Sequence, residues 1–169
     1  MLSYIGGKSR ISKRLIIPKI PRDIKVYCEP FGGMFWTFFK LPLEEFKKLE
    51  TVVYNDFNHL NTNIINCVVN NKDFLDVIKN IESQDSDLFY ESQSMIFNED
   101  LNLDKDIPNY DIGWRYAYVL SQVFSGTNPE KGKFIDLKGK YRSKFDSFKN
   151  KLADQKWLDH FNSISKIEN

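Results

Sequence analysis

The sequence predicts an α/β protein that contains a parallel sheet. Two short runs rich in β-branched and aromatic residues, at 24–28 and 51–54, are typical of strands, and each is followed by a carboxylate. A Gly-Gly turn and an apolar block follow the first run, and apolar residues at helical spacing follow the second. Strand, helix and strand in this order form a βαβ unit, in which the two strands are parallel.

The remaining elements are predicted from apolar spacing and from turn residues. A short helix over 8–17 is expected to end at Pro18, since proline cannot continue a helix. The aromatic block Met34–Phe39 is expected to be helical. Further helices are predicted over 59–68, 72–81, 85–97, 112–124 and 146–161, with an acidic loop at 98–111 and a last strand within 163–168.

The composition is that of one globular domain. The chain has 169 residues, of which 41% are hydrophobic and 28% are charged. No apolar run is long enough to span a membrane, and residues 1–8 have no apolar signal core, so a cytoplasmic location is expected. The two cysteines, Cys28 and Cys67, are predicted to be buried thiols.

Charge is strongly segregated along the chain. Residues 1–25 carry a net charge of +6, residues 71–111 carry −8, and residues 131–156 carry +6. Two basic segments on one chain favour a polyanionic partner if folding brings them to one face. Solvated surface is the alternative interpretation, and charge alone does not decide between the two.

Glu29 and Asp56 follow the first two predicted strands. Ligands of open α/β sheets bind at the carboxyl ends of the strands, where both carboxylates are expected. A carboxylate after the second strand suits the hydroxyls of a ribose, and one in the first turn suits a cationic ligand such as S-adenosylmethionine. In the structural alternative, Glu29 caps a helix and Asp56 ends a strand.

Three motifs together are more specific than any one of them. Tyr4-Ile-Gly-Gly-Lys8, Glu29-Pro-Phe-Gly-Gly33 and Asn55-Asp-Phe-Asn58, in this order, resemble the Dam-like adenine-specific DNA methyltransferases. The resemblance is strong over residues 1–70 and looser over 112–169. It implies methyl transfer from S-adenosylmethionine to the adenine amino group in DNA.

The resemblance also implies a role for individual residues. Tyr4 and Lys8 fall in the N-terminal cofactor motif, and Asp56 falls on the acidic residue that holds the ribose. The first-strand motif, which contacts the methionine part of the cofactor, is matched by Glu29, Phe31 and Gly32.

The implied fold is a partial Rossmann-like methyltransferase sheet with an inserted, mostly helical DNA-recognition region. Residues 1–70 correspond to the cofactor-binding half, 71–155 to the recognition region, and 156–169 to a return towards the sheet. Duplex DNA is the expected partner, with neither a metal nor a membrane involved.

The basic segment 131–144 is the predicted DNA contact. Its candidate phosphate ligands are Lys133, Lys138, Lys140 and Arg142, and the aromatic residues between them, Tyr141 and Phe145, are expected to stack on or beside bases. A basic surface hairpin is the alternative.

The family's catalytic Asp-Pro-Pro-Tyr motif does not occur in the sequence, in which no two prolines are adjacent. The chain is therefore expected to be a fragment, which is either inactive alone or receives this motif from a second polypeptide. A non-catalytic DNA-binding module and an inactive remnant of phage or mobile-element origin are the alternatives. Binding of DNA without any response to S-adenosylmethionine would distinguish the DNA-binding module from a methyltransferase.

Overall fold

Three parallel strands form the sheet of the protein. The computed structural model describes residues 2, 7–98, 100–123, 128–137 and 143–168. The strands are β1 (Val26–Glu29), β2 (Thr51–Asn55) and β3 (Lys166–Glu168), in the order β1-β2-β3. Glu29 of β1 lies opposite Tyr54 of β2, and Tyr54 lies opposite Ile167 of β3. The predicted strands and their parallel arrangement are confirmed.

The described residues also form six α-helices. They are α1 (His59–Val69), α2 (Asn71–Ile78), α3 (Ser86–Ile96), α4 (Tyr110–Gln122), α5 (Lys144–Leu152) and α6 (Gln155–Asn162). Side chains cap several of them: Asn58 accepts a hydrogen bond from the Leu60 amide at the start of α1, and Asn109 accepts one from the Ile112 amide at the start of α4.

The helical core lies where α1 and α4 meet. Both helices are buried around most of their circumference, and Tyr116 of α4 donates a 2.9 Å hydrogen bond to Asn61 of α1. Gly113 faces Cys67 so closely that a Cβ atom on Gly113 would lie 2.5 Å from the Cys67 sulfur. The backbones of the two helices therefore pack at a distance that leaves no room for a side chain at residue 113.

Two segments predicted as regular helices have other conformations. Residues 8–19 form short 3₁₀ and π turns, where the Ser12 hydroxyl bonds the Lys8 carbonyl at 2.6 Å. In the aromatic block only Phe38–Lys40 is a 3₁₀ turn. Phe35 has a φ of +50°, a left-handed conformation that a continuous right-handed helix excludes.

The predicted helix over 146–161 is in fact two helices, α5 and α6. They are separated at Ala153 and Asp154, where the Asp154 side chain accepts a 2.9 Å hydrogen bond from the Lys156 amide and so caps α6.

The prediction for Cys28 is wrong. Cys67 is buried, as expected, but Cys28 is exposed. Val26 on the same strand is also exposed, because the side chains of these two residues lie on the uncovered face of β1. The strand was correctly predicted, but which of its faces is covered depends on distant elements.

Candidate functional site

The carboxyl edge of the sheet brings the two predicted carboxylates together. Glu29 is the last residue of β1, and Asp56 directly follows β2. The loops after the two strands are joined by hydrogen bonds, from the Gly32 amide to the Asn55 carbonyl (2.9 Å) and from the Asn55 side chain to the Pro30 carbonyl (2.6 Å). The two loops thus form one surface.

Asp56 fastens this surface through both carboxylate oxygens. Its Oδ2 accepts a 2.7 Å hydrogen bond from the Gly33 amide, and its Oδ1 accepts bonds from the Asn58 amide (2.9 Å) and the Asn61 side chain (3.1 Å). A carboxylate has about four acceptor positions. With three donors in place, Asp56 retains capacity for about one more hydrogen-bond donor.

Glu29 is held in a partly buried position. Its Oε1 accepts hydrogen bonds from the Tyr27 hydroxyl (2.7 Å) and the Phe38 amide (2.9 Å). Burial raises the pKa of Glu29, and the two hydrogen bonds and the charge of Lys8 oppose this rise without cancelling it. A poorly solvated carboxylate that forms no ion pair with any described residue is suited to interact with a cation.

The Gly-Gly turn is required by packing within the protein. A Cβ atom on Gly32 would lie 2.5 Å from a ring carbon of Tyr54, and Gly33 has a φ of +51°. The Tyr54 hydroxyl donates a 2.8 Å hydrogen bond to the Gly33 carbonyl. The sequence interpretation attributed these glycines to the approach of a ligand, whereas the observed contacts of Gly32 are with β2.

Two exposed aromatic rings lie in the loops that carry these carboxylates. Phe31 follows β1 and is 86% exposed, and Phe57 follows Asp56 and is 87% exposed. Sequence reasoning identified Phe31 but missed Phe57. Phe57 could have been identified from its position, since it is a large apolar residue immediately after Asp56, which follows β2.

Lys8 begins the N-terminal 3₁₀ turn, and its charge acts on Glu29. The structure therefore brings Lys8, Glu29, Gly32 and Asp56 to one region. Tyr4 lies outside the described residues.

The first part of the basic segment is attached to the helices by glutamine side chains. Gln93 donates to the carbonyls of Pro129 (2.7 Å) and Gly132 (2.9 Å), and the Leu137 amide donates to Gln84 at 3.1 Å. Lys133 is exposed on this segment. Lys138, Lys140 and Arg142, the other three candidate phosphate ligands, lie outside the described residues.

Phe145 does not fit the predicted stacking role. It is fully buried, and its ring packs edge-on against Tyr118 with 5.0 Å between ring centroids. Phe145 is the second residue of α5 and faces the core, so it belongs to the hydrophobic packing of this helix. Tyr141, the other predicted stacking residue, is outside the described part of the chain.

Other types of site receive no support from the described residues. They contain no group of three or more His, Cys, Asp or Glu side chains that could hold a metal ion. None of the helices in the same part of the chain has the length and apolar character to cross a membrane.

The parallel sheet defines an α/β protein, and its carboxylate-bearing edge at the ends of β1 and β2 is the candidate ligand site. A sequence model of the D12 class N6 adenine-specific DNA methyltransferases matches residues 4–169. The chain belongs to this family, and the predicted resemblance to adenine-specific DNA methyltransferases is confirmed. A search of curated proteins found no match.

Proposed function

We propose that the carboxyl edge of β1 and β2 binds S-adenosylmethionine for methylation of the adenine amino group in DNA. The observation that carries this proposal is the position of Glu29 and Asp56 on two joined loops at one edge of a parallel sheet. Family membership supports DNA as the substrate. The two carboxylates offer an anionic partner for the cationic groups of the cofactor and a hydrogen-bond acceptor for its ribose hydroxyls.

The residues fit the parts of the cofactor in turn. Glu29, whose pKa is raised by burial, gains an ion-pair partner in the cationic amino group or sulfonium. Asp56 has acceptor capacity for a ribose hydroxyl. The exposed ring of Phe57, next to Asp56, offers a face for the adenine of the cofactor.

In this proposal the protein acts by orientation. S-adenosylmethionine supplies a methyl group that is already activated, so no metal or covalent nucleophile is needed. The joined loops hold the carboxylates in fixed positions, and a fixed orientation of two reactants can supply a large part of a rate enhancement.

DNA binding is assigned to the helical region and its basic segment. Lys133 is presented to solvent on a segment held by Gln84 and Gln93. We extend this assignment to Lys138, Lys140 and Arg142 on the basis of the sequence. Residues 1–70 are proposed as the cofactor-binding half, 71–155 as the DNA-recognition region and 156–169 as the return to a partial Rossmann-like sheet.

The group that holds the target adenine is proposed to lie outside residues 1–169, since they contain no Asp-Pro-Pro-Tyr motif. The comparisons give no support to the second polypeptide expected from the sequence, which stays a prediction.

A thermal-shift experiment tests the proposed cofactor. S-Adenosylmethionine should raise the Tm, because a ligand at 100 times its Kd stabilises the folded state by about 2.7 kcal/mol. ATP and NAD at equal concentrations should not raise it. A rise with ATP or NAD alone, or no rise with S-adenosylmethionine, would contradict the proposal.

A non-catalytic DNA-binding module is the second candidate, and the bonding of Asp56 favours it. Three protein donors already occupy this carboxylate, as a purely structural role would require. This candidate predicts salt-dependent DNA binding together with no thermal response to S-adenosylmethionine.

A further inference from the structure

A second feature of the molecule is a cavity of about 800 Å³ that includes none of the carboxylates and glycines assigned to the cofactor. It lies between the N-terminal turns, the segment around Trp36–Glu45, and the helices α5 and α6. Four lysines line it: Lys13, Lys40, Lys151 and Lys156. We call them the lysine cluster.

Two ammonium groups of the lysine cluster share one indole ring. Lys40 Nζ lies 5.3 Å and Lys151 Nζ lies 5.5 Å from the centroid of Trp36. Lys151 Nζ is also 4.9 Å from the ring centroid of Trp157. The aromatic rings thus hold two like charges close together at the cavity wall.

Lys40 is fixed in this arrangement by the N-terminal segment. Its Nζ donates to the Ser9 carbonyl and, at 2.9 Å, to the Ser9 hydroxyl. Burial lowers the pKa of Lys40, and the charges of Lys13 and Lys151 lower it further. The electrostatic coupling is consistent with the geometry: three lysines repel one another at the same wall.

The acidic side chains of the cavity do not neutralise this cluster. Glu45 pairs with Arg22 at 2.9 Å, and Asp159 accepts a 3.2 Å hydrogen bond from Gln155. Glu44, the third carboxylate, is exposed on the lining. In the described part of the chain, none of the four lysines forms an ion pair with a carboxylate. A cluster of uncompensated cations in a concave site favours an anion.

Chain neighbours link the cavity to the candidate cofactor site and to the basic segment. Lys8 acts on Glu29, and its neighbour Ser9 holds Lys40, so one turn of chain separates the two sites. Helix α5 begins at Lys144, the last residue of the basic segment 131–144, and carries Lys151.

We propose that the lysine cluster binds a backbone phosphate of the DNA substrate. This inference rests on the proposed function, because it takes DNA as the ligand. The contact is independent of base sequence, so the cluster contributes affinity and positioning but does not select the target site.

The salt dependence of duplex binding tests this contact. The variants are Lys13→Gln, Lys156→Gln and their double variant, because these two lysines are exposed and their replacement leaves the core intact. The slope of log K against log salt should fall by about 1 for each lysine whose phosphate contact is lost. The double variant should therefore bind duplex DNA more weakly, with a slope smaller by about 2.

The matched control is Lys47→Gln with Lys48→Gln, which removes two exposed lysines outside the cavity and changes the net charge equally. A slope in the double cavity variant equal to that of this control would overturn the inference. So would the absence of duplex binding by the folded wild-type chain.

Titration with inorganic phosphate separates free phosphate from DNA as the source of the anion. Two of the three tryptophans line the cavity, so their fluorescence reports its occupation. Occupation by inorganic phosphate, without any effect of the variants on duplex binding, would overturn the DNA assignment.

The thermal shift with S-adenosylmethionine, measured on the same variants, tests the proposed function separately. It should equal the wild-type shift in the cavity variants. If Lys13→Gln and Lys156→Gln lost both this thermal shift and DNA binding, the result would contradict a local phosphate site. Cavity-dependent DNA binding in a wild-type chain that gives no shift would leave this inference standing and contradict the proposed cofactor.

Discussion

At the end of β1, the Glu29 carboxyl accepts two hydrogen bonds in a position where burial raises its pKa. The raised pKa means that folding favours the protonated form. Its contribution to stability is fully present below the ordinary value of 4.5 and is lost as the pH rises through the higher folded value. Above that folded value the ionised Glu29 carboxylate lowers the stability of the fold.

Glu29→Gln tests this cost together with the function of the charge. The glutamine oxygen can accept both hydrogen bonds, so the variant should be at least as stable as wild type at pH 7. The difference should shrink as the pH falls through the raised folded pKa towards 4.5, which urea unfolding at several pH values measures. S-Adenosylmethionine should bind about tenfold or more weakly, since a charged hydrogen bond contributes about 1.5–3 kcal/mol.

A variant that is less stable than wild type at pH 7, with unchanged cofactor affinity, would show that Glu29 is a structural residue. Glu50→Gln is a suitable control because Glu50 is exposed and pairs with Lys25. Its effects on stability and on cofactor binding should both be small.

At this scale the sequence predicted the positions of Glu29 and Asp56 because both follow short apolar strands. It did not predict that Asp56 bonds the Gly33 amide, 23 residues earlier in the chain. Phe145 was misassigned for a similar reason: which side of α5 faces the core is decided by Tyr118, on another helix.

Between elements, the close approach of α1 and α4 at Gly113 sets the packing of the core. An alanine in a helix interior is usually more stable than glycine by about 1 kcal/mol. At residue 113 the added methyl group would instead collide with the Cys67 sulfur at 2.5 Å.

Gly113→Ala should therefore destabilise the protein by about 1–3 kcal/mol, as overpacking of a core does. Cys67→Ala removes the obstructing atom, so the double variant should be less destabilised than the sum of the single variants. Chemical denaturation of the four proteins in this double-mutant cycle measures the coupling. Additive effects would show that the contact with Cys67 does not limit this packing.

The elements that the sequence predicted well have a clear local period. The strand at 51–55 and the helix at 59–69 follow from β-branched content and from apolar spacing. The block 34–39 has too many apolar residues to show a period, and its conformation is decided by packing. Phe35, whose backbone is left-handed, stacks on Phe38 at 4.6 Å and meets Tyr54 edge-on at 5.0 Å.

Across the whole molecule, the last strand, β3, is joined to a strand from the first third of the sequence, β2. Ser165, just before β3, accepts a 3.0 Å hydrogen bond from the Val52 amide through its hydroxyl and donates its own amide to the Val52 carbonyl at 2.8 Å. These contacts join positions 113 residues apart.

Ser165→Ala leaves the Val52 amide without this acceptor in a buried strand. The free energy of unfolding should fall by about 1–3 kcal/mol, the cost of an unsatisfied buried group. Urea unfolding measures it, with Ser86→Ala as the control because Ser86 is exposed. An equal effect of the two substitutions would mean that water replaces the lost hydroxyl at Val52.

The overall architecture is predictable from sequence only as far as the order of strands and helices. The motifs predict the family and bring Glu29 and Asp56 to the edge of the sheet that we propose as the cofactor site. The lysine cluster was not predictable, because its members come from the N-terminal turns, the aromatic block and two late helices. Only the fold brings them to one cavity.

Binding of S-adenosylmethionine at the edge of β1 and β2 is the central claim, and calorimetric titration measures it most directly. The titration compares wild type with Asp56→Asn and with the control Asp23→Asn, which changes an exposed carboxylate before β1. Circular dichroism establishes beforehand that each protein is folded. We expect saturable binding by wild type and the control, and an affinity lower by about tenfold or more in Asp56→Asn. No binding by the folded wild-type protein, or equal binding by all three proteins, would contradict the claim.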